Sequence, residues 1–446
     1  MPSTTHPHAF NFAMPVDSYW EASANPLAIA TPALATSETC DVAIIGAGFT
    51  GLSAALELAG QGIGVAVLEA GHIGWGASGR NGGFACIGSH KLSYGAMIRT
   101  YGLGPSQVFH RNMRDAVELV RDNLERHTID AWASSDGEVT LAHRPNRVDE
   151  LRADQAFLKQ TFGEDSEFLS RADLKAQGMN GPGFHAGLKS SLGFGIHPLN
   201  YVRGLARAAQ MAGARIHGTS RLIRWQQAGG GHVLMTAGGT LKAHHVIIAT
   251  NGYTPEDISV NHRGRILPAL SSILVTRPLS EAERQAQGWT SPLMAYDSRK
   301  LLHYFRLLPD GRFLFGGRGG TDASEPGGEA YRLVLTGAFK RLFPQWRQVE
   351  ITHFWRGLVC LSYDLVPYVG PLDENKTVWT AIAYHGNGVA MGSWSGRAVA
   401  RLLTNKTAHD EVSPVITRRL AKFPLPAFRP LYLKGAYLWY GWKDSR

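Results

Sequence analysis

The sequence predicts an α/β fold, in which a parallel sheet with helices on its faces is joined to a second domain built on an antiparallel sheet. The parallel sheet is predicted because residues 41–69 alternate a buried strand, a glycine-rich turn, a helix and a second strand, and later apolar runs return to this pattern. Strand-like segments between those runs predict the antiparallel sheet. At 446 residues, the chain exceeds the size at which one core keeps growing, which favours two domains.

The first strand is predicted at residues 41–45, because short runs of branched apolar residues are typical of strands buried on both faces of a parallel sheet. Gly46, Gly48 and Gly51 follow with the spacing G-x-G-x-x-G. The first glycine permits a tight turn, the second lets the backbone approach a pyrophosphate, and the third lets helix pack close on strand. Apolar residues at helical spacing over 52–59 predict the helix, whose N-terminus favours a phosphate anion.

The second strand is predicted at residues 65–68 and ends beside Glu69. A carboxylate about 20 residues after the first glycine suits hydrogen bonds to a ribose diol. Strand, turn, helix, strand and acid follow in one unit of about 30 residues, so the unit predicts a dinucleotide-binding site. The carboxylate would repel the 2′-phosphate of NADP, which leaves NAD or FAD.

A second glycine-rich segment, residues 74–83, reads GWGASGRNGG. Each glycine costs about 1 kcal/mol inside a helix, so the segment is predicted to be a loop. Such a loop suits close approach to a flat ligand, with Ser78, Arg80 and Asn81 as hydrogen-bond donors.

The remaining elements follow from apolar spacing and turn signals. The longest helix is predicted at 106–127, because Met113, Val117, Val120 and Leu124 recur at helical spacing. Further helices are predicted at 148–162, at 201–211 and from the turn at 384–388 to Leu403. Further strands are predicted at 138–142, 214–217, 222–225, 246–249, 272–277, 301–307, 312–316 and 378–383, with the turn 309–311 joining two of them.

The two glycine-rich segments resemble those of the FAD-dependent amine and amino-acid oxidoreductases of the D-amino-acid oxidase superfamily, and most of all those of the gamma-glutamylputrescine oxidases. The resemblance extends to residues 18–25, 196–200 and 384–389. It implies a Rossmann-like FAD-binding domain and a substrate domain on an antiparallel sheet. The division that we predict gives residues 1–100, 195–258 and 355–446 to the FAD-binding domain, and residues 101–194 and 259–354 to the substrate domain.

The resemblance also implies which backbone segments contact FAD. The turn at 384–388 is expected beside the pyrimidine edge of the flavin, where its N–H groups would stabilise negative charge. The backbone at Leu222 is expected beside the adenine, with an ordinary core leucine as the alternative. We predict non-covalent FAD, because Cys360 does not fit the attachment motif of sarcosine-oxidase relatives. The candidate cofactor-binding residues are Gly46, Ala47, Gly48, Thr50, Gly51, Glu69, Ala70, Gly76, Ala77, Ser78, Arg80, Asn81, Gly82, Gly83, Leu222, Thr250, Gly357, Gly386, Asn387, Gly388 and Val389.

The strand predicted at 301–307 supplies the candidate catalytic residues. Alternation along a strand places His303 and Phe305 on one face and Tyr304 and Arg306 on the other. In relatives such a sheet covers the flavin and forms the substrate pocket, so Tyr304 and Arg306 are the candidates for that pocket. The alternative is an exposed arginine beside a core tyrosine.

The resemblance implies oxidation of a C–N bond in a small-molecule amine, to an imine that hydrolyses to an aldehyde or oxoacid. We expect gamma-glutamylputrescine or another secondary or N-substituted amine, with oxygen as acceptor and hydrogen peroxide as product. No lysine in 305–320 matches the oxygen-activating lysine of sarcosine-oxidase relatives, so another acceptor stays open. The alternatives are an amino-acid or iminodiacid oxidase or dehydrogenase, and a flavin-containing subunit without turnover.

Composition bears on partners and compartment. The net charge of +9 comes from 45 basic and 36 acidic residues, and the basic residues are scattered, so we expect no nucleic-acid partner. Cys40, Cys86 and Cys360 are widely spaced, which fits a reducing compartment without a disulfide framework or metal cluster. We therefore expect a cytoplasmic protein with no metal.

The two ends of the chain carry the last expectations. Residues 1–39 lack the pattern of a signal peptide and are expected to form an extended arm against the body. No run approaches the roughly 20 apolar residues that span a bilayer. The aromatic and basic tail at 424–446 is expected to pack on the protein or form a dimer contact, with a membrane-surface element as the alternative. Membrane association is not expected, and the oligomeric state stays open.

Overall fold

The computed structural model describes residues 6–256, 258, 261–407 and 411–445. Residues 1–5 of the predicted arm, residue 259 at a predicted domain boundary and Arg446 of the tail lie outside the described residues.

The strands form two large sheets and one short pair. Their bounds are β1 (Ser37–Ile45), β2 (Val65–Leu68), β3 (Phe84–Ala85), β4 (Glu138–Leu141), β5 (Ser166–Ser170), β6 (Ala186–Ser190), β7 (Phe194–Gly195), β8 (Arg215–His217), β9 (Arg224–Ala228), β10 (Gly231–Met235), β11 (Thr240–Ile248), β12 (Ile266–Thr276), β13 (Met294–Asp297), β14 (His303–Leu307), β15 (Phe313–Arg318), β16 (Ile351–Ser362), β17 (Tyr368–Pro371) and β18 (Val378–Ile382).

The helices cover the sheets and connect their strands. Their bounds are α1 (Tyr19–Ser23), α2 (Phe49–Ala59), α3 (Tyr94–Tyr101), α4 (Leu103–Arg126), α5 (Val148–Phe162), α6 (Arg171–Ala176), α7 (Pro198–Met211), α8 (Glu281–Gln287), α9 (Glu325–Leu342), α10 (Ala390–Leu403), α11 (Pro414–Thr417) and α12 (Arg429–Ser445).

The first large sheet is mainly parallel, in the order β17-β18-β11-β1-β2-β8, with the β9–β10 hairpin continuing from β11. The last four residues of β1 and all of β2 are buried and apolar, and they pair in parallel register. Such runs suit a strand that is covered on both faces. Helices α2, α7 and α10 pack against one another and the sheet. The parallel pairing of β1 with β2 and β11 brings the C-terminal ends of these strands to one edge. The predicted α/β fold class is confirmed.

The second large sheet is mainly antiparallel, in the order β16-β12-β15-β14-β13-β4-β6-β5. Its longest pairing joins β12 to β16, with an irregular register between Val275 and Thr276. A tight turn at 308–312 joins β14 to β15, and Gly311 in it has a φ of +82°, a value that glycine adopts without strain. One sheet face packs Phe305, Phe313 and Phe315 against α9 in an aromatic core. The other face points to the edge of the parallel sheet.

Three observations bear on the sequence predictions. Strand β9 begins at Arg224, so Leu222 precedes the strand that was predicted to contain it. Strand β16 pairs with β12 along 351–362 and thus crosses the boundary predicted at 355. Helix α4, predicted in the substrate domain, packs against α10, and its apolar face belongs to the core of the parallel sheet. Helical spacing reveals which face of a helix is buried, but not what covers it. The division into two domains stays a prediction.

The two ends of the described chain lie on the body of the protein. The N-terminal arm is interrupted by α1, whose Trp20 is 1% exposed and donates a hydrogen bond to the main-chain oxygen of Asn81. At the other end, Leu433 of α12 packs against β12 in a small apolar cluster. Among the helices that the structure describes, none combines the length and apolar character needed to cross a membrane.

Candidate active site

A cavity of about 430 Å³ lies between the edge of the parallel sheet and the antiparallel sheet. The ends of β1, β2 and β11 contribute Ile45, Leu68 and Ala249 to its wall, and the glycine-rich turn and loop contribute their backbones. The antiparallel sheet contributes Ser271 and Tyr304. Because loops after parallel strands meet at one edge, residues far apart in the chain form this wall together.

The turn at 46–51 is shaped by the space around its glycines. Gly46 has a φ of +101°, and a Cβ at Gly51 would lie 1.9 Å from the main-chain oxygen of Gly46. At Gly48, a Cβ would lie 2.8 Å from the hydroxyl oxygen of Ser78. The positions of the three glycines therefore exclude side chains beside the N-terminus of α2. A pyrophosphate can approach the free N–H groups there, so the turn fits the phosphates of FAD.

Glu69 is positioned by two backbone amides. Its carboxylate accepts hydrogen bonds from Ala47 N–H over 2.8 Å and from Gly71 N–H over 2.9 Å. Burial raises the pKa of Glu69, and the two amides oppose that effect. The carboxylate is thus held at the end of β2, beside the phosphate turn, where it fits a ribose diol.

The side chains of Arg80 and Asn81 stabilise the glycine-rich loop itself. Asn81 donates to the main-chain oxygens of Ala77 and Ser78, and its own oxygen accepts from Gly83 N–H. Arg80 donates from Nε to the main-chain oxygen of Trp75 over 2.7 Å and lies 4.1 Å from the centre of that indole ring. These donors were predicted to face a ligand. In the structure their hydrogen bonds go to the loop and to the main-chain oxygen of Arg356, and both residues also line the cavity, so their contact with a ligand stays a prediction.

Ser78 links the loop to the phosphate turn. Its hydroxyl oxygen accepts a hydrogen bond from Phe49 N–H at the start of α2, over 3.0 Å. One of the free amides of this helix is therefore already satisfied, and the loop is fixed at the mouth of the phosphate site.

The turn before α10 forms the part of the cavity wall beside the start of α2, where the Tyr384 hydroxyl lies 2.8 Å from the Thr50 hydroxyl. His385 and Gly386 both have positive φ angles, of +53° and +110°. The Nε2 atom of His385 lies 3.2 Å from the Ser362 hydroxyl, and burial lowers the pKa of this histidine to about 3. Asn387 donates from Nδ2 to the main-chain oxygen of Ile87 over 2.5 Å. The turn is thus attached to the segment that follows the glycine-rich loop.

The structure brings most of the predicted site residues into one cavity wall. Gly51 and Gly83 lie outside the wall. Gly51 allows α2 to pack closely on Gly46, and Gly83 adopts a φ of +72°. The predicted residues that line the cavity are Gly46, Ala47, Gly48, Thr50, Glu69, Ala70, Gly76, Ala77, Ser78, Arg80, Asn81, Gly82, Leu222, Thr250, Tyr304, Gly357, Gly386, Asn387, Gly388 and Val389.

Arg306 does not line the cavity, which corrects its predicted place in the substrate pocket. It is 2% exposed and donates from Nε to the main-chain oxygen of Gly82 over 3.1 Å and from Nη2 to that of Ile196 over 2.5 Å. Burial lowers its pKa to about 9. Arg306 does lie on the same side of the strand as Tyr304, as alternation predicts. The glycine-rich loop covers the arginine, however, and the arginine stabilises the loop through its hydrogen bond to Gly82.

Tyr304 lines the cavity as predicted from the strand pattern. Its hydroxyl lies 3.0 Å from the Ser271 hydroxyl on β12, and burial raises its pKa to about 12. The ring fits because residue 316 on β15 is glycine, where a Cβ would lie 2.1 Å from the tyrosine Cζ. Tyr304 therefore presents a neutral, oriented phenol to the cavity.

Sequence reasoning missed three basic residues of the wall, Lys91, Arg221 and Arg318. Arg318, the last residue of β15, donates from Nη2 to the main-chain oxygen of His385 over 2.5 Å. Lys91 follows the glycine-rich loop and faces the open cavity, and the surrounding protein and Arg318 lower its pKa. Strand alternation could have indicated Arg318: Gly316 pairs with Tyr304, and Arg318, two residues further along β15, lies on the same face of the sheet. No sequence pattern indicates Lys91.

A buried acid lies beside one end of the cavity. Cys86 and Tyr296 belong to the wall, and Glu138 lies against them at 4% exposure. Its Oε2 atom has no hydrogen-bond partner, and burial raises its pKa to about 8. The carboxyl group is therefore mostly protonated at neutral pH. No group of three or more His, Cys, Asp or Glu side chains within the described residues is arranged to hold a metal.

Comparison with known proteins identifies the family. The model of the family "FAD dependent oxidoreductase" (DAO) matches residues 41–402. The gamma-glutamylputrescine oxidoreductase of Escherichia coli K12 is 31% identical over 414 residues, which cover 93% of this chain and 94% of the relative.

Two solved structures show the same fold. The glycine oxidase of Geobacillus kaustophilus has a TM-score of 0.70 at 22% identity and covers 87% of this chain and 100% of its own. The iminodiacetate oxidase of Chelativorans sp. BNC1 has a TM-score of 0.68 at 16% identity and covers 85% and 98%, respectively. With the phosphate turn, Glu69 and the cavity, these matches show that the chain belongs to the DAO family of FAD-dependent oxidoreductases, enzymes that act on amines and amino acids.

Proposed function

We propose that this enzyme oxidises a carbon–nitrogen bond in an amine that carries a carboxylate, and we favour gamma-glutamylputrescine as its substrate. The observation that carries the proposal is the continuity of the cavity. The same space touches the phosphate turn, Tyr304 and Arg318, so a cofactor at one end and a substrate at the other would meet inside it. The name of the Escherichia coli relative supports the amine class.

The wall at the first end would hold FAD in three parts. The N-terminus of α2 would bind the pyrophosphate, Glu69 the ribose, and the turn before α10 the pyrimidine edge of the flavin. We propose that FAD is bound non-covalently. When bound, FAD supplies the two-electron oxidation of the amine carbon. The N–H groups of the turn would stabilise the negative charge that develops at that edge.

The wall at the second end would hold the substrate. Arg318 supplies positive charge that pairs with a carboxylate, Lys91 supplies an amine that can donate a hydrogen bond to it, and Tyr304 supplies an oriented hydroxyl. Nearby cations also lower the pKa of a bound ammonium group, which favours the neutral amine that oxidation requires. Loss of two electrons and two protons converts the C–N bond to an imine. Water then hydrolyses the imine to an aldehyde or oxoacid and the released amine.

We propose oxygen as the acceptor, which takes up two electrons and two protons to give hydrogen peroxide. The positive charge of Arg318 supports this choice, because it would stabilise negative charge that develops on oxygen. The free state of Cys40, Cys86 and Cys360 supports a cytoplasmic location.

A second candidate is oxidation of an amino acid or an iminodiacid. The same pair, Lys91 and Arg318, favours it, because these substrates bring one or two carboxylates into the cavity. The two candidates differ in what lies beyond the carboxylate: a long aminoalkyl chain in the first, and a short N-carboxyalkyl group in the second.

An anaerobic titration tests both candidates. The FAD-loaded enzyme is mixed with gamma-glutamylputrescine, putrescine, iminodiacetate, N-alkyl amino acids and D-amino acids, and the visible flavin absorbance is followed before and after admission of air. We expect bleaching by gamma-glutamylputrescine but not by putrescine, then recovery in air with peroxide release. Bleaching only by iminodiacetate or amino acids would favour the second candidate. A flavin that none of these amines bleaches would instead indicate a subunit without turnover.

A further inference from the structure

The outward face of α12 is apolar along the helix. At 3.6 residues per turn, Leu431, Leu438, Trp439 and Trp442 share one face. Their exposed fractions are 52%, 77%, 54% and 45%. Scattered apolar residues are common on protein surfaces, but a continuous exposed apolar face marks an interaction site.

The opposite face of α12 fixes the orientation of the helix. Leu433 is 4% exposed and packs with β12, and Tyr437 lies in the same cluster. The carboxylate of Asp444 accepts hydrogen bonds from the backbone amides of residues 300 and 301, both over 2.9 Å. These contacts of Leu433 and Asp444 hold the helix near both of its ends. Because they lie on the opposite face, they direct the apolar face outward.

The exposed side chains continue before the helix and are rich in aromatic rings. Leu425 and Phe428 are 69% and 51% exposed. The rings of Trp439 and Trp442 stack with their centres 5.3 Å apart. Trp and Tyr, with an apolar body and a polar tip, are the residues typical of the boundary between lipid and water.

The charges around this face are positive. Lys434 and Lys443 lie at its two edges on the helical wheel, and the Lys443 amine lies 5.0 Å from the centre of the Trp439 ring. The acidic Asp444 is turned inward to residues 300 and 301. Arg429 is paired with Glu256. Pairing of two such faces would bring lysines of both copies together, whereas an anionic surface would attract them.

We propose that α12 docks on the surface of a lipid bilayer that contains anionic phospholipids. Leu431, Leu438, Trp439 and Trp442 enter the headgroup region with the helix parallel to the membrane, and the flanking lysines contact the phosphates. The structure thus favours the alternative that sequence alone did not favour for the tail. This inference goes beyond the proposed function and does not depend on it.

Co-sedimentation with vesicles tests the proposal on the full-length, FAD-loaded enzyme. One set of vesicles contains phosphatidylcholine alone, and the other adds phosphatidylglycerol. We expect binding to the anionic vesicles to be at least about tenfold tighter, and to weaken as salt rises. The double variant Trp439→Ser/Trp442→Ser is expected to lose at least about tenfold in vesicle affinity.

The matched control is Met211→Ser, which removes an apolar side chain that is 81% exposed on α7. It should leave vesicle binding unchanged, and flavin content reports the folding of both variants. Absence of binding by the unaltered enzyme, or equal binding to both vesicles, would overturn the proposal. So would a dimer in sedimentation equilibrium that the tryptophan variant converts to monomer without any vesicle binding, because the face would then belong to a second copy.

Discussion

The guanidinium of Arg318 donates a hydrogen bond to the main-chain oxygen of His385, with Nη2 and O 2.5 Å apart. This contact joins the antiparallel sheet to the turn before α10. Room for it comes from Gly386, where a Cβ would lie 2.2 Å from Arg318 Nη2. The same pair therefore holds one wall of the proposed FAD site and one wall of the proposed substrate site.

Gly386→Ala should weaken FAD binding by at least about tenfold, because the residue has a φ of +110° and strain of this kind costs about 1–3 kcal/mol. The new methyl group would also displace Arg318. Fluorescence titration of the apoenzyme with FAD measures the effect. Gly104→Ala is the control, since a Cβ there meets nothing within 4 Å. Unchanged FAD affinity in Gly386→Ala would show that this turn does not contact FAD.

Lys91→Met should raise KM for a carboxylate-bearing amine by about tenfold, because it removes from the cavity wall an amine that can donate a hydrogen bond to the carboxylate. The KM of an amine without a carboxylate should change little. Steady-state kinetics with matched pairs of amines measure the difference. An equal rise for both kinds of amine would show that Lys91 does not recognise the carboxylate.

Arg306→Met should reduce the free energy of unfolding by about 3 kcal/mol, because it leaves two buried main-chain oxygens without donors. Denaturant unfolding of the FAD-loaded enzyme measures the loss. Arg126→Met, whose parent side chain is 74% exposed, serves as the control and should change stability little. If Arg306→Met had normal stability but a raised KM, Arg306 would contact the substrate, as the sequence predicts.

Glu138 should make stability fall with rising pH between about 4.5, its ordinary value, and its raised pKa of about 8. In that window the folded protein keeps the proton and the unfolded chain has released it, so rising pH favours unfolding. Glu138→Gln removes this contribution. Thermal unfolding from pH 5 to 8 should therefore show a smaller decline in Tm for the variant. If Tm fell equally with pH in both proteins, the raised pKa of Glu138 would be contradicted.

Acid denaturation should release all of the flavin into solution. Cys360 lines the cavity from β16, but burial raises the pKa of its thiol, so little of the reactive thiolate is present at neutral pH. Cys360→Ala should show the same flavin content and absorbance as the unaltered enzyme. Flavin that stays with the precipitated protein, and is released from Cys360→Ala, would instead show a covalent bond.

The phosphate turn could be predicted because its determinants are local. Gly46 has a positive φ, and Gly48 and Gly51 leave no space for a Cβ, so the turn requires glycine at these spacings. Glu69 follows at the distance set by one helix and one strand. Both features depend on neighbours within about 30 residues.

The substrate end could be predicted only in part, because its contacts are distant in sequence. Alternation correctly placed Tyr304 and Arg306 on one side of β14. Which of them meets the cavity depends on the glycine-rich loop, which lies over 200 residues away and covers Arg306. Arg318 reaches the cavity through strand pairing and its contact with His385. No local pattern encodes those pairings.

The hydrogen bond from Asn387 to Ile87 joins residues 300 positions apart in the chain, and this has a consequence for biosynthesis. Synthesis proceeds from the N-terminus, so the phosphate turn is made more than 300 residues before the turn at 384–388 that completes the cavity wall. The cofactor can be enclosed only then. FAD therefore stabilises only the completely folded chain. The supply of FAD should thus determine how much of the newly made chain escapes proteolysis.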